Sequence, residues 1–179
     1  MGRNLISLVA GSMILVTASS AGAANTIFMT LTGQKSGNIK GGVTQKGREG
    51  SLQVTAFEDE IISPRDAASG LPTGQRQHKP IKVTLELDQS APLLYQMLAN
   101  NENITALELK FWHPSPAGVE SQFYSVKLTN ASIAEIHAST SADAAHTPML
   151  DVSFTYQKIQ WTWTDGGTVT AADNWQSKV

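Results

Sequence analysis

The stretch Ile81-Lys82-Val83-Thr84-Leu85-Glu86-Leu87-Asp88 alternates between apolar and polar side chains without a break. A period of two puts every apolar residue on one face, as a half-buried strand requires. The same pattern recurs on both sides of it. Upstream, Ile27, Met29 and Leu31 alternate with Phe28, Thr30 and Thr32, and Leu52, Val54 and Ala56 repeat the pattern. Downstream, Leu107, Leu109 and Phe111 alternate with Glu108 and Lys110. Tyr124, Val126 and Leu128 follow, then Ile133 to Ile136, and Val152, Phe154 and Tyr156 lead into Ile159, Trp161 and Trp163. Several short strands at fairly even spacing predict an antiparallel sandwich or barrel.

One segment departs from the pattern. Ser90 can cap a helix, Pro92 suits its first turn, and Leu93, Leu94, Met97 and Leu98 form a stripe that Asn100 and Asn101 end. This predicts one short α-helix of about three turns, placed to plug an open edge or mouth of the barrel. Two loops stand out. Residues 33–50 hold Gly33, Gly37, Gly41, Gly42, Gly47 and Gly50, and Ser63 to Lys79 reads SPRDAASGLPTGQRQHK. Loops beyond about 12–15 residues are uncommon in compact domains unless they have a task. After Trp163 the tail carries a Gly-Gly turn, one candidate strand from Thr168 to Ala171, and Trp175.

The chain has 179 residues, 13 Lys and Arg against 15 Asp and Glu, and no cysteine. Without cysteine there is no disulfide framework, thiol nucleophile or cysteine-held metal. A net charge of −2 excludes strong attraction to nucleic acid or an anionic membrane. Met1 to Asn4 is short and basic, Leu5 to Val16 is apolar, and Ala21-Gly22-Ala23 is a small-residue cleavage pattern. Residues 1–23 therefore read either as a secretory signal or as an N-terminal extension. The apolar run is short of the roughly 20 residues that span a bilayer, so no stable membrane insertion is expected. Residues 24–163 form the expected domain and 164–179 a tail too short for an enzyme domain.

Catalytic patterns are missing. The glycine-rich stretch lacks a Gly-Lys-Ser/Thr ending and no helical pattern follows it, so it reads as hairpin connections. His78, His113, His137 and His146 lack the three- or four-residue spacing of a local metal grip. Glu58, Asp59 and Glu60 are adjacent, and adjacent strand residues face opposite ways, so they read as a solvated acidic turn, with a cation or Arg contact as the alternative, rather than as an acid/base pair. There is no Gly-x-Ser-x-Gly elbow. Asn103-Ile104-Thr105 and Asn130-Ala131-Ser132 fit the glycosylation pattern by composition alone. Trp161 and Trp163 are assigned to the core or a subunit seam. The basic residues Arg65, Arg76 and Lys79 are too few for a nucleic-acid footprint. No catalytic residue, cofactor or metal is expected.

Several segments, taken in order, resemble the haemolysin-coregulated protein (Hcp) family, the tube component of bacterial type VI secretion. Asn25-Thr26-Ile27-Phe28-Met29-Thr30-Leu31, followed by Gly33, is similar to the family's opening strand. Asp88-Gln89-Ser90-Ala91-Pro92-Leu93-Leu94-Tyr95 is similar to the start of its helix. Tyr124 to Ile133 (YSVKLTNASI) is similar to its paired late strands, and Val152 to Trp163 (VSFTYQKIQWTW) resembles its closing strand. The loop from Ser63 to Lys79 falls where the family has its extended loop, and the resemblance covers roughly residues 25–163.

The resemblance implies a mainly β fold, a small β-barrel of two antiparallel sheets with one short α-helix. It implies a homo-oligomer, a hexameric ring with an open centre. Rings would stack into a tube inside a contractile sheath, capped by a spike protein of the valine-glycine-repeat family, with small effectors in the lumen. It implies neither catalysis nor a cofactor. The long loop would touch the next ring, with Leu71 as apolar anchor, Pro64, Pro72 and Pro80 as stiffeners, and Arg65, Gln75, Arg76 and His78 as polar contacts. Phe28, Phe57 and Trp112 are candidates for the subunit seam, and ordinary core or edge packing stands beside that reading. Tube proteins assemble in the cytoplasm and leave by type VI secretion, a route without a signal peptide. If residues 1–23 act as a signal, the alternative is an exported periplasmic Hcp-like protein serving as a binding module.

Overall fold

The computed structural model describes residues 25–115, 119–140 and 147–175. The candidate signal at 1–23, His146, and residues 176–179 of the tail lie outside them. Ten strands and one helix follow in order: β1 (Thr26–Gly33), β2 (Gly37–Ile39), β3 (Leu52–Glu58), β4 (Ile61–Ile62), β5 (Gln77–His78), β6 (Ile81–Glu86), α1 (Ala91–Ala99), β7 (Ile104–Pro114), β8 (Glu120–Ser139), β9 (Met149–Trp163) and β10 (Val169–Asn174).

Six strands make the barrel, in the order β9-β6-β3-β1-β7-β8, and β8 pairs back onto β9 to close it. Every pairing is antiparallel. The sheets merge because β8 and β9 run through both sides. β8 pairs with β7 from Glu120 to Ala131 and with β9 along almost its whole length. The segments at 124–128 and 133–136, separate in the sequence reading, are thus one bent strand. Its bend falls at Asn130, whose φ of 49° lies in the left-handed region that asparagine tolerates. Closure leaves the barrel without open edges. β10 extends the sheet beside the second half of β9, and β2 folds back on β1.

The alternation in β6 is borne out: Ile81, Val83 and Leu85 are buried, and Leu87 lies past the strand's end, exposed. In β3 the alternation slips. A register shift between Val54 and Ala56 turns Ala56 outward and brings Phe57 against the core, edge-on to Phe111. The helix forms where expected, with Ala91, Leu94 and Met97 in the core. Its start is held differently, because the Ser90 side chain makes no cap bond. The Asp88 carboxylate instead accepts hydrogen bonds from the Ser90 amide at 2.8 Å and hydroxyl at 2.5 Å, and its other oxygen accepts from Gly42 N.

Connectivity fixes where the appendages sit. β3 ends and β6 begins at one mouth of the barrel, joined by residues 59–80, while β6 runs to the other mouth, where α1 leads into β7. The six residues of β6 span about 17 Å. The long loop and the helix therefore occupy opposite ends of the barrel.

Candidate functional site

The long loop is an ordered arm. β4 and β5 pair at its base, with Ile61 opposite His78 and Ile62 opposite Gln77. Farther out Arg65 bridges to Pro72, and Thr73 N donates to Pro64 O at 3.0 Å. The tip is a turn built on Asp66. Its Oδ1 accepts from Ala68 N, Ser69 N and Ser69 Oγ, and its backbone closes both ways, with Asp66 N to Leu71 O and Gly70 N to Asp66 O, each at 2.9 Å. Gly70 takes φ 69°, which a side chain would resist. The Ser69 hydroxyl foremost, then the two amides, hold the Asp66 carboxyl below its ordinary range. All residues from Arg65 to Gln75 are exposed. A ribbon lying flat on the barrel would bury alternate residues, so this one stands off it. Leu71, at the tip, is 65 % exposed.

At the root the arm is clamped to β10. Arg76 donates from Nε and Nη2 to the two oxygens of Asp173, a bidentate ion pair, and Nη2 also donates to Asn174 O at 2.8 Å. His78 Nε2 lies 2.8 Å from Asp173 Oδ2 and Nδ1 lies 2.9 Å from the Tyr156 hydroxyl. An ionised carboxylate only accepts, so Nε2 carries the hydrogen. The Arg76 bonds foremost hold the Asp173 carboxyl below its usual range. The same carboxylate raises the Arg76 pKa, and burial foremost pushes the Tyr156 hydroxyl up. Of the seven arm residues singled out in the sequence, Pro64, Arg65, Leu71, Pro72 and Gln75 lie along the projecting part. Arg76 and His78 lie at its root, with their polar groups engaged inside the protomer. Asp173, Asn174 and Tyr156, their partners, carried no local signal of this role.

The seam candidates gather only in part. Phe28 and Trp112 share one outer patch, where the Arg48 guanidinium sits 4.8 Å and 3.8 Å from their ring centroids. Glu120 holds that guanidinium at 2.6 Å and accepts from Gln45 Nε2 at 2.8 Å. Hydrogen bonding to Arg48 foremost lowers the Glu120 pKa. The glycine-rich loop thus folds back as a cover, leaving Phe28 5 % exposed. Phe57 belongs to the core margin instead.

A cleft of about 520 Å³ runs between the arm's root and the barrel wall, lined by Arg76, His78, Pro80, Tyr156 and Trp175 among others. Another, of about 470 Å³, lies over the outer face of β3, β6, β9 and β8, with Glu58, Lys82, Glu135, His137 and Asp151 on its lining. Among the described residues no group of three or more His, Asp or Glu is placed to hold a metal ion, and no helix is long and apolar enough to cross a membrane.

Comparison with known proteins extends this geometry. The family model described as "Type VI secretion system effector, Hcp" matches residues 28–163. The "Major exported protein" of Pseudomonas aeruginosa is 38 % identical over 166 residues, covering 85 % of this chain and 96 % of the relative. A crystal structure of an Hcp protein superposes with a TM-score of 0.80 at 29 % identity, over 85 % of this chain and all of that one. A mutant Hcp1 from Escherichia coli EAEC 042 gives 0.77 at 31 % identity, over 85 % and 99 %. The secreted protein Hcp3 from Pseudomonas aeruginosa gives 0.72 at 31 %, over 86 % and 100 %.

Proposed function

The chain belongs to the Hcp family of type VI secretion proteins, and from that premise we propose that it is a structural tube subunit whose protomers close into a six-membered ring and whose rings stack. The family is secreted and structural, and the chain is not an enzyme. On this reading the tube forms inside a sheath in the cytoplasm, meets a valine-glycine-repeat spike, and carries small effectors in its lumen before secretion.

The observation that carries the reading is the arm. It is stiffened by its own hydrogen bonds, stands clear of the barrel, and holds out the large apolar side chain of Leu71 at its tip, with Ile61 and Ile62 also exposed at its base. An ordered segment that buries little of itself in its own protomer gains its contacts from another molecule. Because arm and helix sit at opposite ends, a contact from arm to neighbour runs head-to-tail, the kind that builds stacks of identical copies. A binding module would need an enclosed, lined pocket, whereas the two clefts described lie open at the surface.

The test shortens only the tip. Arg65 and Pro72 already bridge, so replacing Asp66 to Leu71 with two glycines preserves the root. Native mass spectrometry should still show six-membered rings, while electron microscopy should show the loss of ring-on-ring stacks. Rings that fall apart on losing the tip would assign the arm to the ring seam. A parent chain that stays monomeric at every concentration refutes the tube reading.

A further inference from the structure

We propose that the C-terminal strand β10 is the positioning element of the arm, and that Asp173 is its positioning residue. The strand lies outside residues 28–163, the part the family model matches. Hydrogen bonding to β9 from Val169 to Asn174 carries it along the barrel wall to the arm's root. There one carboxylate receives Arg76 through two nitrogens and His78 through a third, and the carbonyl of Asn174 takes a further bond from Arg76.

The geometry is that of a latch. Arg76 and His78 are two residues apart, so they point to the same side of the ribbon. A guanidinium docking in a fork-to-fork arrangement fixes direction as well as distance. The His78 side chain is only 6 % exposed and touches β9 with its second nitrogen and ring edge, through Tyr156. The root is therefore held at two elements, β9 and β10. The backbone pairing of β4 with β5 covers two residue pairs only, too little to aim the arm by itself. Without the latch the arm would keep its tip turn and lose its bearing.

The consequence for ring stacking rests on the tube reading above; the latch does not, and the test reads it directly. Amide hydrogen exchange is followed in the full chain and in Asp173→Ala, Arg76→Ala and the double variant, with Asp173→Asn as a milder change. Each single variant should speed exchange at the root, in Ile61–Ile62 and in residues 77–79, by about tenfold, with the tip turn at residues 66–73 and the barrel strands β1, β6 and β7 unchanged. The double variant should be no faster than either single one, since both break one device. Multiplying effects, or arm exchange unaltered in Asp173→Ala, would overturn the proposal. Loosened arms in rings that still stack would leave the latch standing and count against the stacking role of the arm.

Discussion

Replacing Glu102 with glutamine separates charge from shape at the most enclosed carboxylate described. Glu102 is 6 % exposed. Its Oε1 accepts the amides of Lys35 and Ser36 at 2.7 Å each, and Oε2 accepts the Ser36 hydroxyl at 2.8 Å. It thereby ties the turn between β1 and β2 to the segment leading into β7. Gly33 lies so close that a Cβ there would collide with Oε1. Glutamine keeps the size and can keep both amide bonds, and the serine hydroxyl can turn to accept from the new NH2 group. What is lost is the charge on the acceptor. A bond to a charged group contributes about 1.5–3 kcal/mol and a neutral one about 0.5–1.5, a difference of about 1–1.5 per bond, so the loss over three bonds is about 3–4.5 kcal/mol. For a domain of this size that is roughly 6–18 °C in Tm.

Melts of parent and Glu102→Gln at one protomer concentration, followed by circular dichroism, should show that gap near neutral pH. Its pH dependence is the sharper test. The Ser36 amide foremost holds the Glu102 pKa below its ordinary value, against burial. A lowered folded pKa means stability that is present in full above the unfolded value of about 4.3 and is lost as pH falls through the folded one. Glutamine has no such dependence. The gap should therefore close as pH drops from about 5 toward about 2, the other carboxylates cancelling between the two proteins. A gap that stays constant with pH would mean that packing, not charge, separates the variants, and the reasoning would fail.

The Arg48 cover and the latch yield further expectations. Arg48→Ala removes a cation from two aromatic faces and leaves Glu120 without its ion pair, a cost of about 2–3 kcal/mol. Chemical denaturation measures the cost, and the uncovering of Trp112 should red-shift intrinsic fluorescence. Arg48→Lys should recover little, since an ammonium cannot stack as the planar guanidinium does. In the latch, Asp173 has a lowered pKa because of Arg76. Arm protection should therefore fade as pH falls below the unfolded carboxyl value of about 3.9 and through the folded one, as acid-side exchange would show; protection rising below about pH 4 would contradict the assignment.

The sequence was readable where faces differ and unreadable where distance intervenes. Ile81 to Leu85 showed its strand because one side of β6 meets the core and the other meets water. Leu94 and Met97 showed the helix by spacing. Phe57 could not be placed, because a register slip near Thr55 changes faces and nothing in LQVTAFE marks it. Ser90 looked like the cap, but Asp88 holds the turn, and both residue types favour that position. Arg48 meets Glu120 across 72 residues, and Arg76 meets Asp173 across 97. Such pairs leave no local pattern. The available hints were Arg76 and His78 on one ribbon face, and an acidic residue in a tail with few charges.

Placement and grip set different demands on the arm. Burying Leu71 against a neighbour would contribute at most about 1–2 kcal/mol, less than one contact needs to hold two molecules together. An arm that must first be ordered would spend that gain on its own entropy. Clamping the root and closing the tip on Asp66 meets that cost during folding of the protomer, so a weak contact can still count. Six arms acting together in a ring would then give on the order of 10 kcal/mol before the cost of association, enough for a stack through effective concentration rather than individual strength. Each contact stays weak enough to break alone. If the tube reading holds, a tube that must assemble and later come apart is better served by rigid arms with small tips than by broad apolar interfaces, and an arm with an exposed leucine at its tip on a latched root fits that plan.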